Sequence, residues 1–245
     1  MRADGLQDLD PTALDAVSLD VGGVLVVPDQ DRLAAALAGA GVHHDRARFT
    51  EAHYRAMAEV DRCMSVPEEF NDYHRGFLRA VGVPDDELEA GAAVLARELV
   101  PSIWHQRLPG AVAAARRLAA AGLRLALTSN ADGRVAESLA RHGVAQVGDG
   151  PGVPVEAVTD SGVLGIAKPD PGMFLATARA LGVPPERICH VGDSAYYDAQ
   201  GAAAVGMLAV HVDPLDLCPG DHLHAHSLSD LADRVAAARR PGPAA

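Results

Sequence analysis

Apolar and polar positions divide the chain into a helical stretch and a stretch in which strands alternate with helices. A short apolar run over residues 16–21 is stopped by Gly22 and predicts a buried strand that ends near Asp20. Residues 31–105 have the helical period, without a strand pattern. Gly and Pro residues separate the helices predicted there, at residues 32–40, 44–64, 67–81 and 84–99.

Strands and helices alternate after residue 110, and this alternation predicts a parallel sheet covered by helices on both faces. The segments at both ends, residues 1–14 and 241–245, are expected to be loose. The predicted strands are residues 123–128, 155–159, 188–191 and 207–212. The predicted helices are residues 111–121, 132–142, 171–181, 195–205 and 228–239.

The spacing of the first two core strands indicates an inserted domain. Ser129 follows Asp20 by 109 residues, whereas a strand–helix–strand unit needs only about 30. We therefore predict an α/β fold in which residues 1–28 and 106–245 form the sheet-containing core. We call the all-helical insert, residues 29–105, the helical segment.

Composition and charge exclude several classes of protein. Hydrophobic residues make up 49% and charged residues 22%, values typical of a soluble globular protein. The net charge of −12 argues against a nucleic-acid partner, and no run of 18 apolar residues predicts a membrane span. The acidic N-terminus lacks the apolar stretch of a signal peptide, and the cysteines are too scattered for a disulfide framework. We expect a cytoplasmic protein.

Lysine usage singles out one position. Of the 21 basic residues, Lys168 is the only lysine. Arginine and lysine are equivalent on a solvated surface, but an ammonium is not interchangeable with a guanidinium inside a tight site. Lys168 is therefore a candidate functional residue.

Polar residues follow the predicted strands where ligands bind in a parallel sheet, at the carboxyl ends. They are Asp20, Ser129, Asn130, Lys168, Asp193, Ser194 and Asp198. Such a set suits phosphoryl transfer: carboxylates would hold Mg²⁺, the lysine and serine would bind phosphate oxygens, and Asp20 would be the nucleophile.

Four segments in this order resemble the signature motifs of the haloacid dehalogenase superfamily. They are Asp20-Val21-Gly22-Gly23-Val24-Leu25, Leu127-Thr128-Ser129-Asn130, Ala167-Lys168-Pro169-Asp170-Pro171 and Val191-Gly192-Asp193-Ser194 with Asp198. The resemblance covers residues 16–235 and implies a Rossmann-like core whose insert is a helical cap.

The same resemblance implies a role for each site residue. Asp20 would form an aspartyl-phosphate, and Ser129 and Lys168 would bind the phosphate. Mg²⁺ would be held by Asp20, the Gly22 carbonyl and Asp193, with Asp198 as a ligand or support. Gly22, Gly23, Asn130 and Ser194 would contact the substrate.

Gly22 departs from the pattern of most phosphatases in this superfamily, which have an aspartate two residues after the nucleophile. That aspartate is the general acid and base, and general acid–base catalysis typically raises the reaction rate by about 10²–10⁴-fold. A branch of the superfamily with an Asp-x-Gly start resembles this chain. We therefore predict a Mg²⁺-dependent phosphatase for a small phosphorylated metabolite, favouring good leaving groups; phosphomutase chemistry is in doubt.

Two alternatives stay open. A silent phospho-ligand-binding or regulatory protein would explain Gly22, although a binder does not need the nucleophile Asp20. Haloacid dehalogenation needs no Mg²⁺, and its enzymes lack the Gly192-Asp193 pair found here. Phosphonoacetaldehyde hydrolysis needs a cap lysine, which the helical segment lacks.

Other polar residues receive weaker interpretations. Candidates for substrate selection on the helical segment are Tyr54, Arg62, Asn71, His74 and Trp104. His43, His44, His53 and His74 are expected to be solvated or capping residues. Cys218, His222, His224 and His226 lie in a Pro/Gly-rich stretch, and the sequence alone does not assign a second metal site there.

Overall fold

A computed structural model describes residues 5–63 and 71–239 of the 245-residue chain. The strands there are β1 (Ala16–Leu19), β2 (Val26–Pro28), β3 (Trp104–Arg107), β4 (Arg124–Ser129), β5 (Ala145–Val147), β6 (Val153–Val155), β7 (Ala157–Asp160), β8 (Ile188–Gly192), β9 (Leu208–Val212) and β10 (Leu223–Ala225). The helices are α1 (Gln30–Gly39), α2 (Phe49–Cys63), α3 (Asn71–Ala80), α4 (Leu88–Glu98), α5 (Ala111–Ala120), α6 (Val135–Arg141), α7 (Ser161–Leu164), α8 (Pro171–Leu181), α9 (Gly201–Ala203) and α10 (Leu228–Ala238). A π-helical turn, Ala195–Gln200, precedes α9.

The central sheet has six strands in the order β10-β9-β8-β1-β4-β7, and all neighbouring strands are parallel. β1 lies between β8 and β4, with Leu19 level with Val191 and Leu127. The carboxyl ends of three strands therefore meet beside Asp20. This topology confirms the predicted α/β fold with a Rossmann-like core.

Alternate residues of the central strands face two different cores, as the pleat of a sheet requires. Val17 and Leu19 face a core to which α5 and α10 contribute, whereas Ala16 faces a core to which α8 contributes. Helices on both faces explain why the strands are apolar on both sides.

The helical segment has a hydrophobic core of its own, built from residues between Leu33 and Ile103. α2 begins later than predicted, at Phe49, because residues 46–48 form a 3₁₀ turn capped by Asp45. Positions 64 and 67–70 of the predicted helices lie outside the described residues. Where the chain enters and leaves this segment, β2 and β3 pair as antiparallel strands, which the helical pattern had not indicated.

One further expectation was wrong. Residues 5–14 are not a loose end, because Leu6, Leu9 and Leu14 are buried in the core. The Arg234 guanidinium also donates to the Leu9 carbonyl at 2.9 Å. The stretch rich in Pro and Gly near residue 220 contains β10, the outer strand of the sheet.

No helix of the described part of the chain has both the length and the apolar character needed to cross a membrane.

Candidate active site

The candidate site lies at the carboxyl ends of β1, β4 and β8. Asp20 directly follows β1, Ser129 is the last residue of β4, and Asp193 directly follows β8. All three side chains are buried. The alternation of strands and helices predicted from the sequence thus brings together residues more than 60 positions apart.

Lys168 joins two of the predicted carboxylates. Its ammonium lies 2.7 Å from Asp20 Oδ1 and 2.6 Å from Asp198 Oδ1. The lysine side chain is only 3% exposed. A buried charge needs both partners and hydrogen bonds, and here one ammonium serves two carboxylates.

Burial and the lysine set the charge state of the site. Burial raises the pKa of Asp20 to about 7, although the ammonium of Lys168 acts in the opposite direction. Burial also disfavours the Asp198 carboxylate, but the Lys168 charge and a hydrogen bond from His190 prevail and hold the pKa of Asp198 well below its usual range. Burial opposes the ammonium of Lys168, yet the two carboxylates raise the pKa of Lys168. Asp20, Lys168 and Asp198 therefore form an internally ion-paired set.

Asn130 fixes the loop that carries the lysine. Its side-chain amide donates to the Lys168 carbonyl at 3.0 Å and its Oδ1 accepts from the Lys168 backbone N–H at 2.7 Å. The structure thus places Asn130 as a backbone clamp beside the site. This clamp positions the ammonium between its two carboxylates.

A chain of buried polar groups supports Asp198 from inside the sheet. His190 Nε2 donates to Asp198 Oδ1 at 3.0 Å, and His190 Nδ1 lies 3.0 Å from the Ser18 hydroxyl. The chain continues from Ser18 to Thr128 at 2.8 Å and from Thr128 to Thr177 at 2.7 Å. These groups occupy interior positions of the sheet that an apolar pattern would fill with aliphatic side chains. They extend the site from Asp198 into the core.

The carboxylates fit a hard cation. Oxygens of Asp20, Asp193 and Asp198 lie within 4.8 Å of one another, and oxygen donors of this kind suit Mg²⁺. Gly23 lies directly against this group: its φ is +64°, and a Cβ there would stand 2.1 Å from Asp193 Oδ2. Only glycine therefore allows the backbone after Asp20 to approach Asp193 so closely.

Trp104 occupies the space beside Gly22. A Cβ on Gly22 would lie 3.1 Å from the Trp104 ring. The indole comes from β3, at the end of the helical segment. Any side chain at position 22 would therefore require this ring to shift by a few tenths of an ångström.

Two side chains of α2 reach the site from the helical segment. His53 Nε2 donates to Asp193 Oδ2 at 2.8 Å, and its side chain is 2% exposed. The Tyr54 hydroxyl donates to the Gly23 carbonyl at 2.7 Å. The sequence interpretation of His53 as a solvated or capping residue was wrong, because this ring is buried on a candidate metal ligand.

Asp61, also on α2, docks the helical segment on the loop after β8. It accepts from the Ser194 hydroxyl at 2.6 Å, from the Ala195 N–H at 2.6 Å and from the Tyr196 N–H at 3.1 Å. Burial raises the pKa of Asp61, against these hydrogen bonds. Ser194, predicted to contact substrate, thus makes a contact between the two parts of the chain. No sequence pattern singled out Asp61.

The predicted specificity residues are placed differently from one another. Tyr54 and Trp104 lie beside the Gly22–Gly23 turn. Arg62 is exposed and pairs with Glu59. His74 is 4% exposed, and burial lowers its pKa. The side chain of Asn71 lies outside the described residues.

Similarity to known proteins agrees with this geometry. A glyceraldehyde 3-phosphate phosphatase of Methanopyrus kandleri is 30% identical over 166 residues, covering 66% of this chain and 66% of that protein. A phosphoserine phosphatase of Thermus thermophilus is 36% identical over 132 residues, covering 52% of this chain and 51% of that protein. The chain thus spans about half to two thirds of the length of these relatives.

Solved structures match over nearly the whole chain. A haloacid dehalogenase-type phosphatase from Thermococcus onnurineus has a TM-score of 0.56 and 20% identity, covering 92% of this chain and 100% of its own. An L-2-haloacid dehalogenase has a TM-score of 0.58 and 22% identity, covering 91% and 98%. The fold is therefore common to both activities. The family model for haloacid dehalogenase-like hydrolases matches residues 14–206, and the chain belongs to that family.

Proposed function

We propose that this hydrolase is a Mg²⁺-dependent phosphatase that hydrolyses a small-molecule phosphate monoester through an aspartyl-phosphate at Asp20. The observation that carries the proposal is the buried Lys168 ammonium, bound to Asp20 on one side and Asp198 on the other. An ammonium beside a carboxylate nucleophile suits a substrate with several negative oxygens.

The proposed Mg²⁺ site consists of Asp20, Asp193 and the Gly22 carbonyl, with Asp198 as a further ligand or a support. When bound, Mg²⁺ would neutralise charge on the phosphate. The closeness of the three carboxylates supports this assignment. So does the close approach of the Gly23 backbone to Asp193.

The reaction divides into two displacements at phosphorus. An oxygen of the Asp20 carboxylate bonds to phosphorus while the bond to the leaving group breaks, and the leaving oxygen takes the electron pair. Lys168 and Ser129 hold the other phosphate oxygens. Water then attacks phosphorus and the bond from phosphorus to the Asp20 oxygen breaks, which restores the carboxylate and releases inorganic phosphate; the proton that the water loses goes to solvent.

Because position 22 is a glycine, we expect the enzyme to favour substrates with good leaving groups. The residue supplies no proton, and the Trp104 ring lies 3.1 Å from the point where a Cβ at position 22 would stand. A leaving oxygen that is stable as an anion does not need that proton. Anomeric, acyl and aryl phosphates have this property.

A silent phospho-ligand-binding protein is the second candidate, and the same Gly22–Trp104 contact is the observation that favours it. Such a protein would bind phosphate at the same ammonium without turnover. Haloacid dehalogenation stays the less favoured alternative, because it needs no Mg²⁺ and would not use the cluster of Asp20, Asp193 and Asp198 as a metal site.

Release of p-nitrophenol from its phosphate ester tests the proposal, with Mg²⁺ and with EDTA. Activity should require Mg²⁺ and be lost in Asp20→Asn. The matched control is Asp15→Asn, since Asp15 lies just before β1 in an exposed pair with Arg187. No Mg²⁺-dependent rate above that of Asp20→Asn would overturn the phosphatase and favour the silent binder.

A series of aryl phosphates tests the role of Gly22. Without a general acid, the rate should fall steeply as the pKa of the leaving phenol rises, by several orders of magnitude over the series. If the chemical step limits the rate and the rate does not change with the pKa of the phenol, another group protonates the leaving oxygen.

A further inference from the structure

Four side chains at the outer edge of the sheet converge on one point, and none of them belongs to the proposed Mg²⁺ site. His211 belongs to β9, His224 to β10, and Cys218 and His222 to the segment between these strands. Each offers a ligand atom, and the four atoms lie within 4.8 Å of one another. We call this set the edge cluster.

The separations resemble those of a tetrahedral metal site. His211 Nδ1 lies 3.1 Å from His222 Nε2, and Cys218 Sγ lies 3.7 Å from the same nitrogen. Ligands at about 2.0–2.3 Å from a tetrahedral Zn²⁺ are about 3.3–3.8 Å apart. A small inward movement of the remaining ring therefore completes the coordination.

Hydrogen bonds to carbonyl groups orient two of the rings as metal-bound histidines are oriented. His211 Nε2 donates to the Asp193 carbonyl at 3.1 Å, and His224 Nε2 donates to the Gly220 carbonyl at 3.2 Å. A carbonyl only accepts, so the proton resides on Nε2 and the lone pair on Nδ1. Histidine ligands of metals regularly donate their other ring N–H in this way.

The loop between β9 and β10 is shaped around the cysteine. The Asp213 carboxylate accepts from the Cys218 N–H at 2.8 Å, and the Gly220 N–H lies 3.4 Å from Cys218 Sγ. These contacts fix the loop backbone around the sulfur, the atom that would bind the metal. A Cβ on Gly220 would lie 2.6 Å from the His222 ring, so a larger residue would push this ring out of the cluster.

We propose that His211, Cys218, His222 and His224 bind one Zn²⁺ in a closed structural site. Four protein ligands of nitrogen and sulfur are typical of such sites, whereas a Mg²⁺ site uses oxygen. The metal joins β10 and its preceding loop to β9. Through His211 it also fixes the backbone of Asp193, a residue of the proposed active site.

Metal analysis of the purified full-length protein tests the proposal. After growth with zinc and dialysis, the wild type should hold about one Zn²⁺ per chain, and Cys218→Ser and His222→Gln should hold at least about tenfold less. Two controls should retain it. His226→Gln changes an exposed neighbour paired with Asp216, and Asp20→Asn changes the other site. Equal zinc in all variants would overturn the proposal, because the metal would then be bound elsewhere.

A second measurement does not depend on the variants folding. Co²⁺ added to the chelator-treated wild type should give the visible bands of a tetrahedral site and the charge-transfer band of a Co²⁺–thiolate bond. Zn²⁺ should abolish both, and Mg²⁺ should not. A wild type that holds no zinc and gives no thiolate band would overturn the proposal.

Discussion

Two clusters of candidate metal ligands lie along the same sheet, and they balance their charge differently. Two carboxylates of the candidate active site, those of Asp20 and Asp198, flank their own cation, Lys168. The edge cluster consists of three imidazoles and a thiol, none of which is a permanent cation. In the first arrangement Asp20 and Asp198 are paired before any metal binds, as suits a metal that enters with a substrate. The second depends on the metal itself, as suits a permanent structural ion.

The clusters are nevertheless connected. His211 is level with Gly192 on β8, and its ring holds the carbonyl of Asp193. One hydrogen bond therefore joins a ligand of the edge cluster to the backbone of a carboxylate in the active site. Changes in either cluster test how independent the two are.

The largest effect is expected from Lys168→Met, which leaves buried carboxylates without their counter-charge. The free energy of unfolding should fall by about 3–5 kcal/mol, and Mg²⁺ should restore part of it. Urea denaturation with and without Mg²⁺ measures both. Arg187→Met removes a half-exposed partner of Asp15 and should cost less than about 1 kcal/mol. If Lys168→Met and Arg187→Met lost the same free energy of unfolding, the buried ion pairs of Lys168 would stabilise the fold no more than an ion pair at the surface.

A smaller loss is expected from Gly22→Asp, because the new side chain meets the Trp104 ring. Overpacking of this kind costs about 1–3 kcal/mol. Trp104→Ala in the same chain should remove that cost, which a double-mutant cycle in denaturant measures. Gly39→Asp is the control, since no atom lies within 4 Å of a Cβ built there. If the losses of unfolding free energy in Gly22→Asp and Trp104→Ala simply add in the double variant, the new side chain does not meet the Trp104 ring.

Removal of metal from the edge cluster should weaken Mg²⁺ binding at the active site by at most about fivefold, since His211 then holds the Asp193 carbonyl less rigidly and that hydrogen bond is worth about 1 kcal/mol. Calorimetric Mg²⁺ titration of zinc-loaded and Cys218→Ser protein measures the change. His226→Gln should bind Mg²⁺ like the wild type. Unchanged affinity in Cys218→Ser would show that the two clusters act independently.

The smallest effect is expected from Asp61→Asn, which weakens the docking of the helical segment. An amide keeps one acceptor for the loop at Ser194, so KM should rise about two- to fivefold while kcat changes less. Steady-state kinetics with an aryl phosphate measures both constants. Glu59→Gln, on the same helix and 43% exposed, should change neither. A Glu59→Gln effect of the same size would contradict a specific role for Asp61.

Residues at the strand ends could be predicted from the sequence. Asp20, Ser129 and Asp193 each end or follow an apolar run, so a parallel sheet alone brings them together. The covering helices are predicted by the same alternation of strands and helices. Lys168 stood out by its rarity, which is a property of composition and needs no geometry.

Contacts between distant surfaces could not be predicted in this way. His53 and Asp61 look like ordinary polar residues of an amphipathic helix, and their partners are about 130–140 positions away. β10 has only three residues, too few for a periodic pattern. His211 lies in an apolar strand and resembles a core residue until the fold places β10 beside it.

In the chain of polar groups beneath Asp198, the donor and the acceptor of each hydrogen bond can be assigned. Ionised Asp198 can only accept, and burial lowers the pKa of His190, so the neutral ring donates from Nε2 and accepts at Nδ1. Ser18 must then donate to His190, and Thr128 to Ser18. Three successive dipoles thus point at one carboxylate and strengthen one another. The aligned hydrogen bonds inside the sheet therefore stabilise the negative charge of Asp198, and the Lys168 ammonium stabilises it further.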